Sequence, residues 1–420
     1  MTPQSQRTGL TVRMTSARPA VRAVLKPVLA WVALLAWAVL GCAPAWALPP
    51  QLFKPEWVLP TAPVSGPKAN QPVPRVALTA APRDLSALRY EWEGRQWSLE
   101  DFHARGSVKA LLVLQDGKVV YEHHRWPNGP TTLHQSWSMM KQVLSALVGL
   151  AIQQGRIASV DDPMDRYAPA LAANGFKGVT FKQALMMSAG VRYVEEVDRV
   201  ALFMQVIANR FTGGLAGHTL DQKVTEPALS RAFEPGSKYE YASIVSQAIA
   251  MALEGAQGQP LHRILSRDIW APLGMPDDAR ILTDAQGRDF ALCCLYATAR
   301  SYAVFGQWFL QEGAWRGQQL LNAQWVQDAT RASEGKSWRS TQVPRKVKTQ
   351  ELMGFGYHWW PLEGGRGDFI ALGIQGQMIH VSPKQGVVVV RLSNDYVDGY
   401  HGEEGVAMAR AVADFLKPQR

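Results

Sequence analysis

The chain has 420 residues, 47% of them hydrophobic and 19% charged, with 15 tryptophans and a formal net charge of +9. That balance suits one large domain or two ordinary ones with a sizeable core, and it excludes a chain that is disordered throughout. Five basic residues, Arg7, Arg13, Arg18, Arg22 and Lys26, sit in an acid-free N-terminal stretch whose removal lowers the charge from +9 by five, to +4, and no basic run with interleaved aromatics follows, so nucleic acid is not an expected partner.

That basic stretch opens a targeting segment. An apolar run, "PVLAWVALLAWAVL" (27–40), follows it, then small residues and Ala45-Trp46-Ala47. Residues 1–47 read as a signal peptide cleaved after Ala47, and Met14 as a start would shorten its basic region. Val39-Leu40-Gly41-Cys42 also reads as a lipoprotein signal with lipid on Cys42, and an uncleaved anchor is a third reading. All three place the rest of the chain outside the cytoplasm, periplasmic or secreted, with membrane contact only through the leader or a lipid on Cys42. Cys293 and Cys294 are neighbours, so a disulfide between them is not expected, and they read as small buried hydrophobes. No His or Cys spacing suits a metal, and none is expected.

Residues 48–85, rich in proline, alanine and valine, read as a linker or extended arm, which leaves 86–420 for the folded domain. In "KALLVLQDGKVVYEHH" (109–124) two β-rich runs flank Asp116-Gly117, a two-residue hairpin signal. "SWSMMKQVLSALVGLAIQQG" (136–155) is apolar nearly all round after its first turn, which marks a core helix stopped at Gly155. From about 156 to 350 the signals are mostly helical, with helices at 180–190, 243–258 and 297–313. Strands return at "GFGYHWW" (354–360), "FIALGIQGQMIHVSP" (369–383) and "GVVVVRLSN" (386–394), and a helix at 405–417 closes the chain. Strands at both ends around a helical middle imply one sheet built from both termini, with a helical subdomain inserted.

The chemistry concentrates in a few places. Ser138-Met139-Met140-Lys141 puts a hydroxyl and an ammonium on one helix face, at the mouth of a buried helix. Burial and the helix N-terminus both disfavour the cation, so Lys141 is a candidate base for Ser138. Two further S-x-x-K matches, at Ser65 and Ser333, lie in a proline-rich arm and a glycine-bearing loop. In "EPGSKYEYAS" (234–243) a Pro-Gly turn precedes Tyr241 and Ser243, making Tyr241 a candidate proton relay. Gly373-Ile374-Gln375-Gly376-Gln377 reads as lying inside a strand, where glycine marks a bulge or close approach by a ligand. Glu195, Glu196 and Asp198 read as an acidic loop, either solvated or facing an amine-bearing substrate. His358 is a weaker candidate for a group facing the cleft.

Taken in order, S-x-x-K, Y-x-S after a Pro-Gly turn, and a Gly-bearing strand near the C-terminus make the chain resemble the serine β-lactamase and penicillin-binding superfamily. It is most similar to the class C-type branch of esterases and 6-aminohexanoate-dimer hydrolases, over roughly residues 105–418. The resemblance implies an α/β, β-lactamase/transpeptidase-like fold: an antiparallel sheet flanked by helices, a helical subdomain, and the site between them. It implies Ser138 as acylated nucleophile, Lys141 as base, Tyr241 as acid/base partner with Ser243 beside it, and backbone N–H groups of Ser138 and Gln377 as the oxyanion hole. No cofactor is implied, and the partner is a small amide or ester. Tyr193, Tyr296, Ile374, Gln375 and Gly376 are the substrate-binding candidates. The chain departs from the pattern at Ser243, where many members have asparagine, at Ile374, where β-lactamases and peptidases have lysine or histidine, and at Cys293-Cys294, where a small glycine pair is common. A β-lactamase, a D-amino-acid peptidase or a non-catalytic sensor of the same fold are the alternatives.

Overall fold

The computed structural model describes residues 59–68, 72–105, 107–331, 338, 353–362, 364–394 and 402–417. The leader, with Cys42, and Ser333 lie outside these residues. Asp116 and Gly117 both have positive φ, 49° and 76°, the hand that matches strand twist, and they join β1 (Val108–Gln115) to β2 (Lys118–His124). Toward the C-terminus follow β3 (Trp360–Pro361), β4 (Phe369–Gly373), β5 (Gln377–Ser382) and β6 (Val387–Ser393). They form one sheet in the order β3-β4-β5-β6-β1-β2, antiparallel at every pairing. The sheet is therefore closed by β6 on β1, from both ends of the chain.

The long helices are α1 (Met140–Gln153), α2 (Glu195–Thr212), α3 (Ser243–Gln257), α4 (Ala299–Leu310) and α5 (Gly402–Phe415). Alternation along the strands gives the sheet two buried faces. Leu111, Val113, Met378, Val387 and Val389 form a core with Val406, Ala409, Val412 and Ala413 of α5. The other face takes α4. A Cβ on Gly306 would lie 2.7 Å from Val388 Cγ1 and 2.8 Å from Ile379 Cγ2, so glycine is what lets this helix sit on the sheet.

Four expectations change. "GFGYHWW" is not one strand: His358, with φ 65°, reverses the chain, and only Trp360–Pro361 enters the sheet. "FIALGIQGQMIHVSP" is two strands, because Gln375 (φ 64°) and Gly376 (φ 77°) turn the chain between them; the glycine motif is a turn and not a strand interior. Glu195, Glu196 and Asp198 are the first turn of α2, whose start is held by the Val194 N–H donating to the Asp198 carboxylate at 2.6 Å. Finally, the described part of the proline-rich arm is docked. Thr61–Val64 pairs with Ala279–Leu282 at the edge of a second sheet that continues through Leu295–Ala297 to His134–Gln135. An edge is where a strand containing Pro63 is tolerated. Further bonds tie the arm down, among them Gly66 N–H to Asp278 Oδ1 at 2.8 Å and Thr283 N–H to Pro60 O at 2.8 Å.

Candidate active site

Helix α1 is buried from Met140 to Ala151, and it packs on α3. A single 3-10 turn, Trp137–Met139, precedes it and carries Ser138. Lys141 stands one turn on and is 1% exposed. Its Nζ donates to Ser138 Oγ at 3.0 Å, to Ser243 Oγ at 3.2 Å and to the Leu292 carbonyl at 2.6 Å. Burial pulls the Lys141 ammonium down from 10.5 to about 7, against the Glu195 carboxylate, which raises it, and with Arg199, which lowers it. Near neutral pH a large fraction of Lys141 is thus an amine within reach of a serine hydroxyl.

Tyr241 lies over the same ammonium, its ring centroid 5.2 Å from Nζ. It stacks on Trp360 at 6.4 Å and meets Phe355 edge-on at 6.3 Å. Because Trp360 belongs to β3, this aromatic wall joins the start of α3 to the edge of the main sheet. Ser243, at the first turn of α3, connects Lys141 to α2. Its hydroxyl donates to Glu195 Oε1 at 2.6 Å and its backbone N–H to Glu195 Oε2 at 2.7 Å. The carboxylate therefore caps α3 from another helix, and it also pairs with Arg199 at 3.2 Å.

The β4–β5 turn rests on the backbone just before Ser138. A Cβ on Gly373 would lie 2.4 Å from Ser136 O and 3.1 Å from Trp137 Cβ, so glycine is required there. Trp137 Nε1 donates to Gln375 Oε1 at 2.9 Å, holding turn and helix mouth together. Trp137 itself has φ 45°, left-handed backbone that costs a non-glycine residue on the order of 1–3 kcal/mol, immediately before Ser138. Gly376 is buried, and Ile374 at the tip is 37% exposed. The Gln377 side chain is turned inward, donating to Ser393 O at 2.8 Å and Gln375 O at 3.0 Å, so only its backbone is left for the oxyanion role.

Tyr296 is buried on Leu295–Ala297, opposite Gln135. Tyr193 is buried two residues before Glu195; its hydroxyl has no hydrogen-bond partner among the described residues, and burial holds the phenol above its ordinary range. Cys293 and Cys294 are buried, as expected, but their sulfurs are bonded to each other, which corrects the expectation of an unpaired couple. Cys294, with φ 78°, makes the turn that brings adjacent side chains together, and Cys294 Sγ accepts from Gln135 Nε2 at 3.4 Å. His358 is fully buried: its carbonyl accepts from Gln142 and its Nε2 is 3.4 Å from Ser246 Oγ, so it faces α1 and α3 and not an open cleft. Burial keeps it neutral. Ser65 is exposed on the docked arm. Among the described residues no group of three or more His, Cys, Asp or Glu side chains is arranged to hold a metal.

Two participants escape a reading of the residues alone. The Leu292 carbonyl is backbone, and no motif announces it. Glu195 stands in the acidic run, but only the fold shows that it turns to Ser243.

A family model described as Beta-lactamase matches residues 101–413. A 6-aminohexanoate-dimer hydrolase of Paenarthrobacter ureafaciens is 27% identical over 291 residues, 68% of this chain and 72% of that protein. A Bacillus anthracis protein provisionally called a 6-aminohexanoate-dimer hydrolase superposes with TM-score 0.75 at 21% identity, over 89% of this chain and 95% of that one. The structure of EstCE1, a hydrolase with promiscuous acyltransferase activity, gives TM-score 0.58 at 18% identity, over 75% and 96%. These two structural likenesses establish the fold.

Proposed function

The chain belongs to the beta-lactamase family, and from that premise we propose that it is an exported serine hydrolase that cleaves an amide or ester bond through an acyl-enzyme on Ser138. One observation carries the reading: a buried, weakly basic Lys141 sits 3.0 Å from the Ser138 hydroxyl. Neutral Lys141 accepts the Ser138 proton as Oγ bonds to the acyl carbon. The carbonyl becomes a tetrahedral oxyanion, held by the backbone N–H groups of Ser138 and Gln377. The proton on Lys141 then passes to the departing alcohol or amine, with Tyr241 as relay, as the C–O or C–N bond breaks. Water attacks the remaining ester, and its proton returns the Ser138 hydroxyl while the acid leaves.

The β4–β5 turn supports a reading of the substrate class. β-Lactams and D-Ala-D-Ala peptides carry a carboxylate beside the scissile amide, and a charge-assisted hydrogen bond to it contributes about 1.5–3 kcal/mol. Here Ile374 brings no charge, Gln375 offers only a neutral amide whose oxygen is held by Trp137, and the Gln377 amide is spent on Ser393. Substrates without that carboxylate are favoured: short esters and linear amides of the 6-aminohexanoate-dimer type, the activity named for the curated relative. On one preparation, kcat/KM for a p-nitrophenyl ester should exceed that for a chromogenic cephalosporin by about one to four decades. Ser138→Ala should abolish both activities and labelling by a covalent serine probe. Equal cephalosporin turnover would overturn the substrate reading, and labelling of the Ser138→Ala protein would overturn the nucleophile.

A further inference from the structure

We propose that Glu195 is a positioning residue of this site: acting through Ser243, it aims the free electron pair of Lys141 at Ser138. The inference rests on the serine-hydrolase reading above. It follows from counting donors and acceptors. A neutral Lys141 has two N–H donors and one lone pair, and among the described residues its Nζ bonds to the oxygens of Ser138, Ser243 and Leu292. The Leu292 carbonyl can only accept. Ser243 could do either, but its single proton is committed to Glu195 Oε1 at 2.6 Å, and its neighbouring backbone N–H fixes the second carboxylate oxygen at 2.7 Å. Ser243 Oγ is thereby an acceptor for Lys141. Both N–H groups of the amine are then used on Leu292 and Ser243, and of these three oxygens the lone pair is left for the Ser138 hydroxyl.

The carboxylate matters in this role because a neutral cap would not fix the direction. A glutamine at 195 offers donors as well as an acceptor, so Ser243 is free to reverse and donate to the Lys141 lone pair, which would silence the base. The carboxylate also favours the ammonium. The other charged or titratable groups facing Lys141 are Arg199 of α2, Tyr241 before α3, and the neutral, buried His358 of the 353–362 segment.

The test compares Glu195→Gln, Glu195→Asp, Ser243→Ala and Ser138→Ala on a p-nitrophenyl ester and on a linear amide carrying a free amine. Glu195→Gln should lower kcat roughly a hundredfold with little change in KM on the ester. It should also move the acidic limb of the pH profile down by about one unit, since a negative charge beside Lys141 is lost. Glu195→Asp should recover part of the rate. Glu195→Gln combined with Ser243→Ala should be no worse than Ser243→Ala alone, because both act along one path. If Glu195→Gln does not fold, Ser243→Ala carries the test: it removes an oxygen that receives the Lys141 ammonium, so it must lower kcat and shift the limb downward, while Glu195→Asp, which keeps the charge, must lower kcat less. A fall in kcat with an unmoved limb in Glu195→Gln or Ser243→Ala would reduce Glu195 to scaffolding and overturn the proposal. A rise in KM confined to the amine-bearing amide would overturn it in favour of a substrate contact. Activity surviving in Ser138→Ala would instead refute the nucleophile, whereas Ser138-dependent activity indifferent to Glu195 would refute only this inference.

Discussion

Lys141 is the residue whose placement costs most and yields most. An ammonium buried to 1% exposure is tolerated because three oxygens receive it and because its affinity for the proton has fallen to about 7. Two outcomes follow. Activity should rise with pH through about 7 as the amine is released, the acidic limb that a pH–kcat/KM profile reads. Stability should rise too: between about 7 and the ordinary 10.5, the unfolded chain holds a proton that folded Lys141 lacks, so unfolding becomes harder as pH increases across that window. Urea midpoints measured near each end of the window should climb more in the wild type than in Lys141→Met, and equal slopes would refute the depressed affinity. Ser138 and Lys141 were legible in the chain because an i, i+3 pair at the head of an apolar helix has one geometry. Glu195 was not, because its partner Ser243 is distant in sequence and only the packing of α2 on α3 joins them.

Among the elements, the β4–β5 turn shows how far a local pattern carries. The glycine at 373 rightly announces close backbone approach, yet the approaching group is the chain's own Ser136 carbonyl. The reversal itself stayed hidden because Gln375, a residue that seldom adopts positive φ, makes half of it, flanked by Ile374 with its strand preference. The arm misled in the other direction. Its prolines read as a linker, but Thr61–Val64 covers the apolar edge Ala279–Leu282, of which Ala279, Ile281 and Leu282 are at most 1% exposed. A protein beginning at residue 86 should therefore expose that edge, melt lower than one beginning at 48, and self-associate. Thermal melts and light scattering on the two proteins check this, and identical behaviour would show the arm to be dispensable.

For the whole molecule, the sheet built from both ends was readable from strand patterns at both ends and the Asp116-Gly117 turn, since a single sheet is the economical way to bury both. The second, smaller sheet was not, because its strands are two to four residues long and carry no periodicity. Its members nevertheless run from the arm, through the strand bearing Tyr296, to Gln135 beside the helix mouth. Export belongs to this scale as well. The basic, acid-free leader and Ala45-Trp46-Ala47 lead us to expect a mature chain that starts at Leu48, or at a lipidated Cys42, and so retains the docked arm. N-terminal sequencing and intact mass of envelope-fraction protein decide between them, and full-length cytoplasmic protein would refute both.

The contacts that make the site span long stretches of chain. Lys141 reaches Ser243 across 102 residues and Leu292 across 151, and Trp137 reaches Gln375 across 238. Such contacts close late, after the entropy of ordering the intervening chain has been overcome. A chain still being synthesised, or threaded unfolded through a membrane, has the serine and the lysine one turn apart but nothing to desolvate or aim them. On the proposed mechanism the fold would thus act as a safety catch: Ser138 would become an acylating serine only once the last strands have closed on the first helix, and nascent chains would be chemically inert toward their surroundings.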